Sequence, residues 1–150
     1  MKRHGYDSLK IGVVGSGKYK NKEFVIQMMT GIVWPNKDII VSGHSPRNNY
    51  NNVDIWAEDW ANEYCKNKPI IHPAKEFTRE GFFARNKLVS DDSDCFLCFI
   101  NKGQYKSGTW NTIKRFVDKG GVYGKDWFIF DENGMPWHTN DLPKWCMKTG

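Results

Sequence analysis

Short apolar runs alternate with longer segments of helical spacing along most of the chain. The apolar runs are rich in β-branched or aromatic residues and are bounded by Gly, Pro, Asn or Asp, which predicts β-strands. The predicted strands cover residues 9–14, 38–41, 69–72 and 94–100, and a further one begins at 122–123. We expect the first strand to be central, and the fourth to be covered on both faces because it is almost entirely apolar.

Between the strands, apolar residues recur three and four positions apart, which predicts amphipathic helices. The predicted helices cover residues 21–34, 53–66, 78–90 and 107–119. Asn21 and Ser107 stand where a helix needs an N-cap. The positions of the third helix that we expect in the core are Phe82, Phe83, Leu88 and Val89.

This alternation, which continues to about residue 130, indicates an α/β fold with a doubly wound, mostly parallel sheet and helices on both faces. The last part of the chain differs. Residues 127–130 and 135–138 flank a turn sequence at Asn133-Gly134, which predicts a hairpin-like C-terminal extension. Pro136 would confine its second strand to an edge.

Length and composition indicate one domain over residues 1–150, with its core over about 9–130 and an extension over 131–150. Hydrophobic residues make up 39% and charged residues 26%, which is typical of a soluble globular protein and excludes a disordered one. No apolar run is long enough to span a membrane, and the N-terminus lacks the apolar core of a signal peptide. We therefore expect a cytoplasmic protein.

The cysteines are expected to be reduced in that compartment. Cys95 and Cys98 have the C-x-x-C spacing of metal and redox sites, but they lie inside the predicted strand 94–100. Residues three apart on a strand point to opposite faces, so we expect buried, apolar cysteines. The sequence predicts no metal site and no cofactor.

The net charge of +5 and the pI near 9.0 suit an anionic partner. Lys and Arg are spread along the chain and form no basic block. A nucleotide would therefore satisfy the charge as well as a nucleic acid would, and a merely soluble surface is an equally good explanation.

Three glycine-containing loops follow predicted strands: Gly15-Ser16-Gly17-Lys18, Ser42-Gly43-His44 and Ser107-Gly108-Thr109. If these strands are parallel, the loops meet at one edge of the sheet, where helix N-termini and free amides favour an anion such as phosphate. Gly lets the backbone approach a ligand, and Ser and Thr hydroxyls bind phosphate oxygens. Near helix starts, Asp54 is placed to accept from ribose hydroxyls and Arg85 to pair with a phosphate.

The order and spacing of these motifs resemble the SLOG superfamily, and most closely its small YspA-like members. The motifs that carry the resemblance are Gly15-Ser16, Ser42-Gly43, Val53-Asp54 with Ala57 and Trp60-Ala61, Pro73-Ala74, Gly81, Arg85-Asn86, Asp94 and Ser107-Gly108-Thr109. The superfamily includes DNA-processing protein A and the LONELY GUY cytokinin-activating phosphoribohydrolases. The resemblance covers about residues 9–122 and implies a Rossmann-like fold that binds nucleotides or nucleotide-derived signals above the strand ends.

The chain departs from the phosphoribohydrolase motif after the fourth strand. Those enzymes carry Pro-Gly-Gly-x-Gly-Thr-x-x-Glu with a catalytic Glu, and Thr112 stands at that position here. Arg85 matches the family's motif arginine, yet without the Glu it lacks an acid–base partner. Glu76 and Glu80 are candidate substitutes on a nearby loop, although solvated surface carboxylates are the commoner explanation.

Other departures affect the first two loops and the aromatic residues. The family's Gly-Ser-Arg is Gly-Ser-Gly here, with Lys18 as the candidate charge, and His44 replaces a Gly as a candidate ligand contact. Trp110, just inside the last helix, is placed to stack on a base. Trp56 and Trp60 are four apart on one helix and are predicted to lie in the core or in a dimer interface.

We expect a protein that binds a nucleotide or nucleotide-derived signalling molecule, as a sensor or sequestering protein. The alternatives are a nucleotide phosphoribohydrolase or other N-glycosidase with Arg85 as its catalytic residue, and single-stranded DNA binding, which the scattered charge disfavours. Superfamily members often self-associate, so a homo-oligomer is expected. The predicted ligand-binding residues are Gly15, Ser16, Gly17, Lys18, Ser42, Gly43, His44, Asp54, Arg85, Asn86, Ser107, Gly108, Thr109 and Trp110.

Overall fold

The computed structural model describes residues 8–147, and its centre is a sheet of five parallel strands. The strands are β1 (Lys10–Gly15), β2 (Ile39–Ser42), β3 (Ile70–Ile71), β4 (Cys95–Phe99) and β5 (Trp127–Phe130). Their order across the sheet is β3-β2-β1-β4-β5, so β1 is central, as predicted. The order reverses between β1 and β4, and open α/β sheets bind ligands beside such a reversal, at the carboxyl ends of the strands.

Helices connect the strands within the described residues. They are α1 (Lys22–Ile32), α2 (Arg47–Tyr50), α3 (Val53–Tyr64), α4 (Arg79–Asp92) and α5 (Gly108–Asp118). The side chains of Asn21 and Ser107 each accept a backbone N–H of the helix that follows, which confirms both predicted N-caps. The single turn α2 is irregular, because Asn48, Asn49 and Tyr50 have positive φ angles of 53°, 55° and 62°.

The helices cover both faces of the sheet, and each face has its own apolar core. On one face, α1 and α3 pack against β1 and β4 in a first cluster that includes Met29, Trp56 and Phe99. On the other face, α4 and α5 pack in a second cluster that includes Phe96 and Phe116. This arrangement confirms the α/β fold with helices on both faces of the sheet.

Every residue of β4 is buried, as predicted for a strand between two helical layers. Cys95 belongs to the first cluster and Cys98 to the second, and both are free thiols. The opposite orientation expected from their spacing is therefore confirmed. Burial raises the pKa of the Cys98 thiol well above its usual range, which keeps it protonated and unreactive.

The last strand begins at Trp127, so the prediction of a strand start at 122–123 is wrong. Val122 is exposed, and Tyr123 makes an isolated parallel bridge to Trp127. Trp127 and Ile129 are both buried in the second core cluster. The burial of these two large side chains against α5 outweighs the intrinsic strand preference of Val122.

After β5 the chain turns back toward the sheet, at the predicted Asn133-Gly134. Gly134 has a φ of 77°, and Asp131 Oδ1 accepts the backbone N–H of Asn133 at 2.9 Å. An antiparallel bridge between Phe130 and Pro136 joins the two arms of this turn.

Residues beyond this turn are part of the fold's core. Two 3-10 turns, Thr139–Asp141 and Lys144–Met147, follow it. Trp137, Leu142 and Cys146 are buried in the second core cluster. The indole nitrogen of Trp137 donates to the carbonyl oxygen of Ile100 at 3.0 Å. Residues 137–146 therefore pack on the face of the sheet that α4 and α5 cover.

Helix α4 buries a narrower face than its sequence suggested. Val89 is buried as predicted, but Leu88 is 45% exposed, and Phe82 and Phe83 are half-buried and belong to neither core cluster. The prediction that these three side chains face the core is wrong. Asn86 and Val89, three residues apart, define the face of α4 that meets the sheet, and this register turns Leu88 outward.

Trp56 and Trp60 are 6% and 5% exposed and lie in the first core cluster. The core interpretation of this pair is therefore confirmed. Because both rings are covered within a single chain, they do not provide a surface for a second copy.

Candidate functional site

A cleft with a volume of about 220 Å³ lies at the carboxyl ends of the strands, beside the reversal between β1 and β4. The loops after β1, β2 and β4 line it, together with one face of α4 and the first turns of α3 and α5. Most of the predicted ligand-binding residues are there: Gly15, Gly17, Gly43, Asp54, Arg85, Asn86, Ser107, Gly108 and Thr109. The three separated glycine loops therefore meet at one place.

The N-terminus of α5 faces this cleft at Gly108. Ser107 Oγ accepts the backbone N–H of Thr109 at 3.2 Å, which fixes the first turn of the helix. Among residues 8–147, a Cβ at Gly108 would meet no atom within 4 Å outside its own turn of helix, so the space beside this glycine is open. The N–H groups and the positive end of the helix dipole at such a position favour a negatively charged group.

Arg85 is held between α4 and the loop after β2. Its Nη1 donates to the carbonyl oxygen of Gly43 at 2.7 Å, and its Nε donates to Asn86 Oδ1 at 2.9 Å. A Cβ at Gly43 would lie 2.7 Å from Arg85 Cδ, so the glycine is needed for this approach. A guanidinium carries five N–H donors, and two are used in these bonds. The remaining donors are available for a bidentate contact with phosphate.

Asp54 is the carboxylate of the cleft lining, and it lies in the first turn of α3. It is 8% exposed, and its Oδ2 accepts the backbone N–H of Ser45 at 3.0 Å. Burial raises the pKa of Asp54 from 3.8 to about 6, although the charge of Arg85 opposes the shift. Its proton therefore exchanges close to neutral pH, as the proton of a general acid or base must.

Ser42 and His44 lie behind the cleft, where both contact Glu58. Ser42 Oγ donates to Glu58 Oε2 at 2.6 Å, and His44 Nδ1 lies 2.8 Å from Oε1. Ser42 Oγ also accepts the backbone N–H of His44 at 3.1 Å. This network fixes the loop that presents Gly43. Sequence reasoning missed Glu58, and its spacing of four residues from Asp54 on α3 was the available signal.

Ser16, Lys18 and Trp110 do not line the cleft. Ser16 is buried, and its Oγ accepts the backbone N–H of Lys18 at 3.1 Å, so it shapes the first loop from behind. The Lys18 residue is exposed. Trp110 is 6% exposed and donates from Nε1 to the carbonyl oxygen of Gln104 at 2.9 Å. It lies on the same face of α5 as Ile113, so it is a core residue and not a stacking partner for a base.

Helix α4 contributes residues that the sequence analysis did not place in the site. Arg79, Phe82 and Phe83 line the cleft, and they precede Asn86 by seven, four and three positions. These spacings place all four residues on one face of the helix, and they could have been recognised in the sequence. Arg47, from the turn α2, also lines the cleft. With Arg85 the lining holds three arginines and one carboxylate, so it is positively charged.

Thr112 lines the cleft at the position where the phosphoribohydrolase motif carries its Glu. Glu76 and Glu80, the candidate substitutes, are exposed and do not line it. The carboxylate that the cleft does offer, Asp54, comes from a different helix.

Within residues 8–147, no group of three or more His, Cys, Asp or Glu side chains is arranged to hold a metal ion. None of the helices in that part of the chain is long and apolar enough to cross a membrane.

No protein-family model matches the chain, and neither a curated protein nor a solved structure is significantly similar to it. The resemblance to the SLOG superfamily therefore rests on the order of the sequence motifs.

Proposed function

We propose that this cleft binds a nucleotide or a nucleotide-derived signalling molecule, so that the protein acts as a sensor or sequestering protein of the SLOG type. The proposal is carried by one observation: three glycine-containing loops and the arginines 47, 79 and 85 line the same cleft. Glycine loops expose backbone amides, and arginines supply charge and directed N–H donors. A small phosphorylated molecule satisfies both.

The geometry favours a phosphate position between Gly108 and Arg85. The uncovered N-terminus of α5 supplies amide donors there, and the guanidinium supplies the charge. Asp54, which lines the same cleft from α3, is placed to accept hydrogen bonds from ribose hydroxyls. A phosphorylated ribose therefore finds a complementary group at each end.

Isothermal titration calorimetry with adenosine 5′-monophosphate, related mono- and diphosphates and inorganic phosphate tests this proposal. We expect saturable binding at one site per chain for at least one nucleotide, and an affinity that weakens as salt is added. Thermal unfolding provides a second readout, because ligand at about 100 times its Kd stabilises by about 2.7 kcal/mol. Absence of saturable binding by every one of these compounds at millimolar concentration would refute it.

The position of Asp54 favours a second candidate function, the hydrolysis of an N-glycosidic bond. A protonated Asp54 would donate to the departing base as the C1′–N bond breaks, and water would add to C1′ and return a proton to the carboxylate. The raised pKa of Asp54, about 6, suits this exchange near neutral pH. Arg85 would hold the phosphate of the substrate.

Chromatography of the chain incubated with adenosine 5′-monophosphate separates the two functions. A binding protein releases no free adenine over the incubation. Adenine release that disappears in both Asp54→Asn and Arg85→Ala would identify the protein as a hydrolase. Its acid–base group would then be Asp54 on α3, and not a residue at the position of Thr112 on α5.

Self-association remains part of the proposal, on a surface other than Trp56 and Trp60. Sedimentation velocity at micromolar concentration tests it. A single species at the chain mass of 17.5 kDa would exclude a stable homo-oligomer.

A further inference from the structure

Phe82 and Phe83 are large aromatic residues that contribute to neither core cluster of residues 8–147. Both are half-buried and both line the cleft. A large apolar side chain is stabilised by about 1.5–3 kcal/mol when it is buried instead of exposed, so a partly covered pair leaves apolar surface in contact with water. That surface is concave, faces the cleft, and lies beside the polar groups of the proposed phosphate position.

A guanidinium group lies over each of the two rings. Arg79 Cζ lies 5.2 Å from the centre of the Phe83 ring, and Arg85 Cζ lies 5.4 Å from the centre of the Phe82 ring. Phe77 lies outside the cleft and stacks on Phe82. The centres of these two rings are 5.9 Å apart, and their planes are 15° from parallel. The wall is therefore built from flat groups, and flat groups bind other flat groups by stacking and cation–π contacts.

We infer that Phe82, Phe83 and Arg79 form a subsite for a planar aromatic ring, on which the base of the ligand stacks while its phosphate lies at Arg85 and Gly108. The inference rests on the proposed function and adds to it the part of the ligand that α4 recognises. It assigns to Phe82 and Phe83 the stacking role that Trp110 cannot fill, because that ring is buried in the core.

The length of α4 suits this assignment. Arg79 and Arg85 are six residues apart, which is about 9 Å along a helix axis. That length separates a base from a 5′-phosphate when a ribose lies between them. Two half-buried phenylalanine rings carry no hydrogen-bonding group, so they recognise the flat shape of the base, and every nucleobase has such a face.

Calorimetry with ribose 5-phosphate and the four ribonucleoside 5′-monophosphates tests the subsite on the unaltered protein. These ligands share the phosphorylated ribose and differ in the base. Stacking of a base is worth about 1–3 kcal/mol, so we expect at least one monophosphate to bind about tenfold tighter than ribose 5-phosphate.

Phe83→Leu then locates the effect, because it keeps an apolar side chain and removes the ring from a residue outside the core clusters. We expect it to weaken monophosphate binding about tenfold and to change ribose 5-phosphate binding less than about twofold. Tyr64→Leu is the control, since it removes an aromatic ring from an exposed position of α3 outside the cleft. We expect it to leave both affinities within about twofold.

Each outcome decides something. If ribose 5-phosphate binds as tightly as every monophosphate, the aromatic subsite is refuted while the proposed phosphate site stands. The same holds if Phe83→Leu weakens both kinds of ligand equally. If none of the five compounds binds, the proposed function fails and the subsite fails with it. The comparison of ligands on the unaltered protein decides the question even if the Phe83 variant does not fold.

Discussion

Arg85 Nη1 donates a 2.7 Å hydrogen bond to the carbonyl oxygen of Gly43, and this bond joins helix α4 to the loop after β2. The guanidinium that is best placed to bind a phosphate therefore also holds the cleft together. Burial lowers the pKa of Arg85 and the nearby Asp54 opposes that shift, but an arginine stays protonated at any physiological pH. Substitution of this residue affects stability and binding together, so the two must be measured separately.

Arg85→Ala is expected to weaken the binding of adenosine 5′-monophosphate by at least about tenfold, since a charge-assisted contact to phosphate is lost. The free energy of unfolding should also fall, by about 1.5–3 kcal/mol, because the carbonyl of Gly43 and the amide of Asn86 lose their charged partner. Arg85→Lys keeps the charge but lacks the planar guanidinium. Its affinity and its free energy of unfolding should lie between those of the unaltered protein and those of Arg85→Ala. Calorimetry measures the affinity, and urea unfolding measures the stability.

Arg115→Ala is the matched control for this experiment. Arg115 Nε donates to Asn111 Oδ1 at 3.1 Å, which is the same kind of bond as the one from Arg85 to Asn86, but the residue does not line the cleft. Its replacement removes the same charge and should leave the affinity within about twofold. Equal losses of affinity in the two variants would mean that overall charge, and not the position of Arg85, governs binding.

Gly108 offers a test of the cleft that leaves the fold intact. A Cβ there meets no protein atom within 4 Å, so Gly108→Ala places one methyl group at the proposed phosphate position without a clash. We expect nucleotide affinity to fall about tenfold or more, while the stability stays equal or rises by about 0.5–1 kcal/mol, because Ala is the better helix former.

Gly31→Ala makes the same change in helix α1, where a Cβ also meets nothing within 4 Å. It should give a similar stability and an unchanged affinity. If Gly108→Ala binds nucleotides as the unaltered protein does, the phosphate does not lie at the N-terminus of α5.

Much of the fold follows from local sequence patterns. Apolar runs and helical spacings predicted the strands β1 to β4, both confirmed N-caps and the central place of β1. Parallel strands bring their following loops to one edge, so the meeting of Gly15, Gly43 and Gly108 was also predictable. These features depend on short stretches of chain and on the general rules of parallel sheets.

The errors have a different origin, which is the rotation of each helix about its own axis. The spacing within α4 is compatible with Phe82 and Phe83 facing either the sheet or the cleft, and the packing of α4 against α5 and β1 decides between them. The sequence also leaves the buried face of α5 uncertain by about one residue. For this reason Trp110 was predicted to contact the ligand, whereas it lies in the core. Glu58 was missed because a buried carboxylate is rare, and its partners Ser42 and His44 are distant in sequence.

Glu58→Ala should destabilise the protein by about 2–4 kcal/mol, because it leaves the buried hydroxyl of Ser42 and the ring of His44 without their acceptor. Glu63→Ala, on the exposed side of the same helix, should change the free energy of unfolding by less than about 0.5 kcal/mol. Urea unfolding monitored by tryptophan fluorescence measures both. Similar values for the two variants would show that the Ser42–Glu58–His44 network does not hold the loop.

The raised pKa of Asp54 predicts a pH dependence of stability with a definite sign. In the unfolded chain this carboxyl titrates near 3.8, and in the folded protein it titrates near 6. Below pH 3.8 it is protonated in both states and imposes no penalty. Between pH 3.8 and about pH 6 the unfolded chain has released this proton and the folded protein still holds it. The free energy of unfolding therefore falls as the pH rises, until the folded protein ionises as well. The full pKa shift corresponds to about 3 kcal/mol in the free energy of unfolding.

Asp54→Asn removes this titration and keeps an acceptor for the backbone N–H of Ser45. Measured by urea unfolding, the stability of the unaltered protein relative to this variant should therefore drop by about 2.4 kcal/mol between pH 4 and pH 7.5, because part of the shift is already expressed at pH 4. Asp59→Asn, an exposed position on the same helix, should show a change below about 0.5 kcal/mol over the same range. A constant difference between the unaltered protein and Asp54→Asn would mean that Asp54 is hydrated, and it would remove this residue as the acid–base group of the cleft.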